Sequence, residues 1–546
     1  MIKNAVYQNA VYKFKRLLPF VLYAFGLYLS LKVVLGLSKI EPDSIHSLIL
    51  WYGVNEYGLS WVKDWLFTQD NWLFSLFPLH FIEFWILGPK LALIIVTGWV
   101  IFVASTIVAG LIALELKSKK SFYTIPVMLI FMGFYAHQSG FVSYSISHNI
   151  TNLFGLISTL LLVRWIKTKK WHLIAFIFFF QVAGGLSDPW LIPAYILPTA
   201  LVAVILFFKS GEPQERKQYL WLFVAMAVSI FFIKSLFFDA LNFLQRMNFV
   251  IGDWETINSN AVFLIKDLGG LFNLLPGVKT NNFVSSCISL AVIIVLYATS
   301  VRLIIFDGLK GLTAERIAFF SIVFFSTGGI ALAFLISDIP AADYSARFLI
   351  NILYLITIAV AISFEENWHR LSILAKLFAI TVASLFMIAG FFSNLDLLKE
   401  PSFLIEPTEP LELIAFLNKN GLNYGYGPYW GSTANVVTVL SNSQIRIRPV
   451  VFDKSSGRMI FGTRSQSSKR WYTSDDFPVN QKDFFVIVNN DGEECTVPQV
   501  CVNGLTQQYG EPSRVLTYRN SSILVWNHPL IDWSNSNYME IKNVKK

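Results

Sequence analysis

About eleven long apolar stretches follow one another between residues 16 and 393, and then the pattern ends. A helix needs ~20 predominantly apolar residues to cross ~30 Å of hydrocarbon, and this chain supplies that length repeatedly. From about Asn394 onward the polarity is that of an ordinary water-soluble domain. The expected fold is an α-helical polytopic membrane unit, residues 1–393, carrying a C-terminal soluble α/β domain, residues 394–546. Any chemistry is then tied to a membrane surface, and one side of that membrane holds the tail.

Composition agrees with that division. Of 546 residues, 55% are hydrophobic, 16% aromatic and only 14% charged, where soluble chains have about 25% charged residues. The net charge of +8 lies largely in short loops between apolar stretches, which reads as membrane topology and not as nucleic-acid binding. Cys287 sits inside an apolar stretch, whereas Cys495 and Cys501 lie six apart in CTVPQVC. No histidine or further cysteine stands close enough to suggest a zinc site. A disulfide is open to this pair if the tail meets an oxidising compartment. Lys3, Lys13, Lys15 and Arg16 precede the first apolar stretch, and no small-residue cleavage site follows it. A retained helix is expected there, not a signal peptide.

Spans are expected near 17–38, 91–114, 122–136, 149–164, 171–186, 191–208, 219–237, 282–304, 318–337, 348–363 and 374–393. The basic loops alternate with them. Lys117, Lys119 and Lys120 form one cluster, and Arg164, Lys167, Lys169 and Lys170 the next. Lys209, Arg216 and Lys217 follow, then Arg302, Lys310 and Arg316, then Arg370 and Lys376. All fall on the side of the N-terminus. Cytoplasmic loops collect Lys and Arg, so the N-terminus is expected inside and, after an odd number of spans, the tail outside. Two outer loops are long, about 39–90 and about 238–281, and loops beyond ~15 residues are commonly functional. The second offers only Arg246, Lys266 and Lys279 as cations. The first holds Trp51, Trp61, Trp65, Trp72 and Trp85, a residue type that favours the headgroup level. An amphipathic helix lying on the membrane surface fits part of it.

Four outer segments carry candidate chemistry. In KIEPDSIHS, Glu41 and Asp43 stand a few residues past the first span. A carboxylate at that depth is costly without a partner or a task, and one task is general base toward an acceptor hydroxyl; a solvated loop is the alternative. In WVKDWLFTQDNWLFSLFP, Asp64 and Asp70 are the acidic points of an aromatic stretch. Either suits a sugar, although TQDN favours Asp70 as a helix cap. Asp188 in GGLSDPW sits in a short outer turn, where binding and turn chemistry are both open. In PAADYSARF, Arg347 starts the tenth span beside Tyr344. A guanidinium there suits phosphate oxygens, and a snorkelling helix-end Arg is the alternative. His137 and His148 bracket a fifth segment, HQSGFVSYSISH, as weaker candidates for a substrate hydrogen bond. No His, Asp or Glu run has metal spacing. Neither a phosphate-binding glycine loop nor a dinucleotide fingerprint is present, which argues against an ATP-driven pump built from this chain alone.

With these residues in view, the chain resembles polytopic glycosyltransferases of the GT-C superfamily, most of all bacterial members distantly related to dolichyl-phosphate-mannose protein mannosyltransferases. The similarity lies in the layout, in EPDS with Asp43, in DNWLFSLFP at Asp70–Pro78, in Arg347–Phe348, and in the tail segment NGLNYGYGPYWGSTANVVTVLS. The resemblance implies transfer of a sugar from a polyprenyl-phosphate donor to a glycan, lipid or protein acceptor at the outer face of a bacterial inner membrane, with membrane lipids as surroundings. It implies Asp43 as base, with Glu41 as stand-in, and donor phosphate at Arg347. The Asp-Glu pair of the mannosyltransferases is a single Asp here, which leaves a divalent metal open and no other cofactor required.

The tail is expected to be mixed α/β, with a helix at Leu411–Leu417, strands at 445–452 and 484–490, and a hairpin at 514–527 turning on Asn-Ser. Tyr424, Tyr426, Tyr429 and Trp430 with Gly425 and Gly427 read as an aromatic-glycine loop, packed on the core or open to acceptor sugar. A transporter or flippase, and a polymerase or ligase for lipid-linked sugars, are the rival readings. The first is disfavoured by the absence of an internal repeat. The second is disfavoured by the thin basic content of the loop at 238–281.

Overall fold

The structure, a computed structural model, describes residues 2–37, 40–236, 250–278, 282–305, 312–399, 408–430, 433–462, 464–489, 495 and 497–530. Lys39, Arg246, Lys279 and Lys310 of the expectations above lie outside the described residues, as do the side chains of Lys3, Lys13, Lys15 and Arg16.

The first half is helical because its apolar runs are long and rarely interrupted. Among the described residues, nine helices are long and apolar enough to cross a membrane: Leu17–Leu37, Leu91–Glu115, His148–Thr168, Ile192–Lys209, Pro213–Lys234, Phe283–Leu303, Ala314–Ile336, Ser345–Asn367 and Ile373–Ser393. Two of the eleven expected spans are shorter. Helix Trp171–Ser187 has 17 residues. The stretch at 122–136 divides into helix Lys119–Ile130, with Pro126 inside it, and helix Phe134–Gln138. Between these two, the Phe131 carbonyl lies so close to Gly390 that a Cβ there would collide with it.

The first long loop is structured: helix His46–Tyr57, a 3-10 turn Leu59–Asp64 and helix Phe77–Leu87. Its tryptophans differ in exposure. Trp61, Trp65 and Trp72 are buried, while Trp85 is 79% exposed on a helix that also exposes Ile82 and Ile86. Trp61 and Trp65 pack on each other and on Trp471 of the tail, with ring centroids 5.1 to 6.1 Å apart.

The tail is a mixed five-stranded sheet in the order β2-β1-β5-β7-β6. Here β1 is Tyr424–Gly427, β2 Arg446–Pro449, β5 Phe484–Val488, β6 Arg514–Tyr518 and β7 Ser521–Trp526. β1 runs parallel to β2 and β5, and β5, β7 and β6 are antiparallel. A small pair, β3 Val451–Phe452 and β4 Met459–Ile460, lies beside it. Helix Thr408–Lys419 contains the expected one. The expected loop at 424–427 is instead the fully buried strand β1, in which Gly425 leaves room for the ring of Phe485. The hairpin turns on Arg519–Asn520, because Tyr518 pairs with Ser521 and Arg519 takes φ 50°, as a two-residue turn of this hand requires. Cys495 and Cys501 form a disulfide with Cα atoms 6.3 Å apart.

Tail and helical unit share one core, to which Val436, Val439 and Trp471 contribute from the tail. Backbone bonds run between them: Leu66 N to Ser467 O at 2.8 Å and Gln466 N to Leu66 O at 2.6 Å. Behind this seam Asp476 is fully buried. It takes two hydrogen bonds from Arg448, at 2.6 and 2.7 Å, one from Tyr424 at 2.8 Å and one from Tyr57 of the first loop at 2.7 Å. Removing one member of a buried pair strands the other charge, at a cost of about 3–5 kcal/mol. Asp476→Ala is therefore expected to loosen the tail in the full chain, measured as faster limited proteolysis after residue 408; unchanged digestion would show that the pair is not needed to hold the tail.

Candidate functional site

Asp188 ends helix Trp171–Ser187 and turns the chain toward a π-helical turn at Ile192–Ile196. Its Oδ1 accepts the Trp190 amide at 3.1 Å, the expected turn chemistry, and its Oδ2 lies 2.6 Å from His148 Nδ1. Both side chains are buried. His148 opens helix His148–Thr168 after Ser147, whose hydroxyl caps the Asn149 amide. The basic residues Arg164 and Lys167 lie toward the other end of the same helix, about 24 to 28 Å along its axis. The imidazole is stacked on Trp190 and tilted on Phe348, with centroids 5.2 and 4.8 Å away. Among the described residues, nothing hydrogen-bonds the buried His148 Nε2. An imidazole that donates through Nδ1 to a carboxylate presents Nε2 as an acceptor.

A second element brings Asp70 to this pair. The segment after Phe67 is pinned to the same turn: the Asn71 amide donates to Ser187 O at 2.8 Å, and Asn71 Nδ2 to Leu186 O at 2.9 Å. The Phe74 amide donates to Ser187 Oγ at 2.9 Å and Trp72 Nε1 to Ser147 O at 3.3 Å. Asp70 is thus not the expected helix cap, since the next helix starts at Phe77 with Leu76 before it. Asp70 as a residue is half-buried, and its carboxyl is surrounded by protein.

Arg347, in the turn Ser345–Leu349, completes the group. Its guanidinium carbon lies 5.1, 5.5 and 5.9 Å from the ring centres of Phe348, Tyr344 and Phe141. Trp190 Nε1 donates to Phe348 O at 2.9 Å, tying this turn to Asp188. Among the described residues Arg347 has no ion-pair partner, and its buried Nε donates to nothing. Burial raises the Asp70 carboxyl to about 6; the charge of Asp188 adds to the rise, while His148 and Arg347 oppose it. A carboxylate of that basicity near neutral pH suits proton abstraction, and an unneutralised guanidinium beside it suits an anion.

The other expected residues are elsewhere. Asp43 Oδ1 accepts from Tyr429 at 2.7 Å and from Gln466 Nε2 at 2.9 Å, both in the tail, and no bond joins it to Arg347. Glu41 is exposed. Asp64 lies 3.6 Å from Arg470. His137 is buried against Phe102 and lies 2.9 Å from Ser143 Oγ. Tyr344 is 55% exposed and serves Arg347 as a ring face. Asp70, Asp188, Arg347 and Tyr344 are thus brought together, and Asp43, Glu41, Asp64 and His137 are not part of that group. His148 carried only a weak sequence signal, because its partner lies 40 residues away. Among the described residues no three His, Cys, Asp or Glu side chains gather as metal ligands.

The raised Asp70 carboxyl sets a sign for stability. Between its ordinary value of 3.8 and about 6, the folded state holds more protons than the unfolded one, so folding weakens as pH rises through that window. Asp70→Asn removes this effect, and its advantage in melting temperature over the parent is expected to grow from pH 4 to pH 7; a constant difference would refute the raised value. No protein-family model matches this chain, and no curated protein matches it by sequence.

Proposed function

We propose that this chain is a membrane glycosyltransferase that moves a sugar from a polyprenyl-phosphate donor to a hydroxyl acceptor at the outer face of a bacterial inner membrane. The observation that carries the reading is the unneutralised Arg347 beside the raised Asp70 carboxyl and the His148–Asp188 pair. The cleft is at the end of helix His148–Thr168 opposite its basic residues. By the distribution of Lys and Arg, that end faces outward. The Cys495–Cys501 disulfide supports an oxidising side for the tail.

In this reading Asp70, and not Asp43, takes the proton of the acceptor hydroxyl. The acceptor oxygen then bonds to the anomeric carbon while the bond from that carbon to the phosphate oxygen breaks. The departing lipid phosphate keeps the electron pair, and Arg347 stabilises its charge. His148, oriented by Asp188, offers Nε2 to a sugar hydroxyl. A lipid-borne donor already on the outer leaflet needs no nucleotide site.

In membranes supplied with polyprenyl-phosphate-linked hexose, Asp70→Asn is expected to lower the transfer rate by ~10²–10⁴. Arg347→Ala is expected to raise the donor KM and cut kcat/KM by ~10²–10³. Full activity in Asp70→Asn together with loss in Asp43→Asn would return the base role to Asp43. Movement of the lipid-linked sugar across sealed vesicles without its consumption would favour a flippase. A tag at the C-terminus is expected to be digested in spheroplasts; protection would overturn the orientation.

A further inference from the structure

The seam between the first outer loop and the tail holds a second set of groups that the transfer step leaves unused. Gln466 Nε2 donates to one oxygen of Asp43, and the single hydroxyl proton of Tyr429 lies between that oxygen and Gln466 Oε1. Gln466 is itself anchored, its carbonyl accepting from Asn435 at 3.1 Å and its amide donating to Leu66 O at 2.6 Å. Among the described residues the other Asp43 oxygen accepts no hydrogen bond. Beside it the Arg464 guanidinium lies over Tyr429 at 4.2 Å and near Trp430 at 5.3 Å. Among the described residues Arg464 has no carboxylate partner, and its buried Nε donates to nothing. Trp430 is 38% exposed.

We propose that this seam is a binding subsite for an acidic carbohydrate, the acceptor in the transfer reading on which that role rests. A sugar hydroxyl donates to the open Asp43 oxygen, the ring lies on the exposed Trp430, and a carboxylate or phosphate on the sugar takes the Arg464 fork. A stacked guanidinium with an unused donor is matched by an anion, and a neutral sugar would leave it unpaired. Both halves are needed, since Asp43 comes from the membrane unit and the other groups from the tail. The subsite is also joined to the cleft: Leu66 bonds the seam directly, and Asp70 follows four residues later, at most about 14 Å along an extended chain. A short oligosaccharide held at the seam therefore reaches toward the group that would take its proton.

The test is equilibrium binding of tetragalacturonate to the full-length protein in nanodiscs, with maltotetraose as the neutral counterpart and no donor lipid present. Tetragalacturonate is expected to bind at least about ten-fold more tightly than maltotetraose, the least that one charge-assisted hydrogen bond provides. Arg464→Ala is expected to erase that preference, and Trp430→Ala to weaken both sugars. Trp430 is partly exposed, so its removal leaves the core intact and provides an independent variant. Equal affinity for the two sugars, no binding of tetragalacturonate, or a preference that survives Arg464→Ala would overturn the proposal. Because no transfer is measured, binding without transfer would sink the glycosyltransferase reading alone, and transfer without binding would sink the subsite alone.

Discussion

The two backbone hydrogen bonds between Leu66 and the segment Gln466–Ser467 are the join on which the molecule depends. The loop of some fifty residues that they anchor is also held at Asn71–Phe74 by the Leu186–Ser187 turn. Pairing with the tail gives its backbone polar groups partners and lets Trp61, Trp65 and Trp471 bury one another. Once residue 66 is fixed, Asp70 is within four residues of its place, and the bonds from Asn71 and Phe74 to the Leu186–Ser187 turn complete its placement.

Three arginines show how charge is used. Arg448 is buried, bonded twice to Asp476 and stacked 4.3 Å over Trp471; it holds the structure. Arg347 and Arg464 also lie on aromatic rings, but among the described residues neither has a carboxylate partner. A guanidinium kept partly out of water carries a desolvation cost, which a bound anion would offset.

Much of the fold was legible because one physical signal is strong. Apolar length marks helices such as Leu91–Glu115 and Ala314–Ile336 within a few residues, and short runs rich in β-branched and aromatic residues marked β5 and the β6–β7 hairpin. The failures were local. Pro126 and the close approach of Gly390 to Phe131 shorten a run that hydropathy alone reads as continuous. The motif YGYG resembles a loop by composition, yet as β1 it packs Tyr424 and Tyr426 into the core.

The site divides along the same line. Sequence alone determined that Arg347, Asp188 and the acids of the first loop fall at ends of apolar helices on the side away from the basic clusters, because charge and hydropathy act locally along the chain. Only the tertiary structure decided that Asp188 faces His148 across 40 residues, that Asp70 and not Asp43 shares the cleft with Arg347, and that Asp43 faces Tyr429 across 386. Such pairings depend on which helix ends and loops meet after packing, and a linear pattern of polarity holds no record of that.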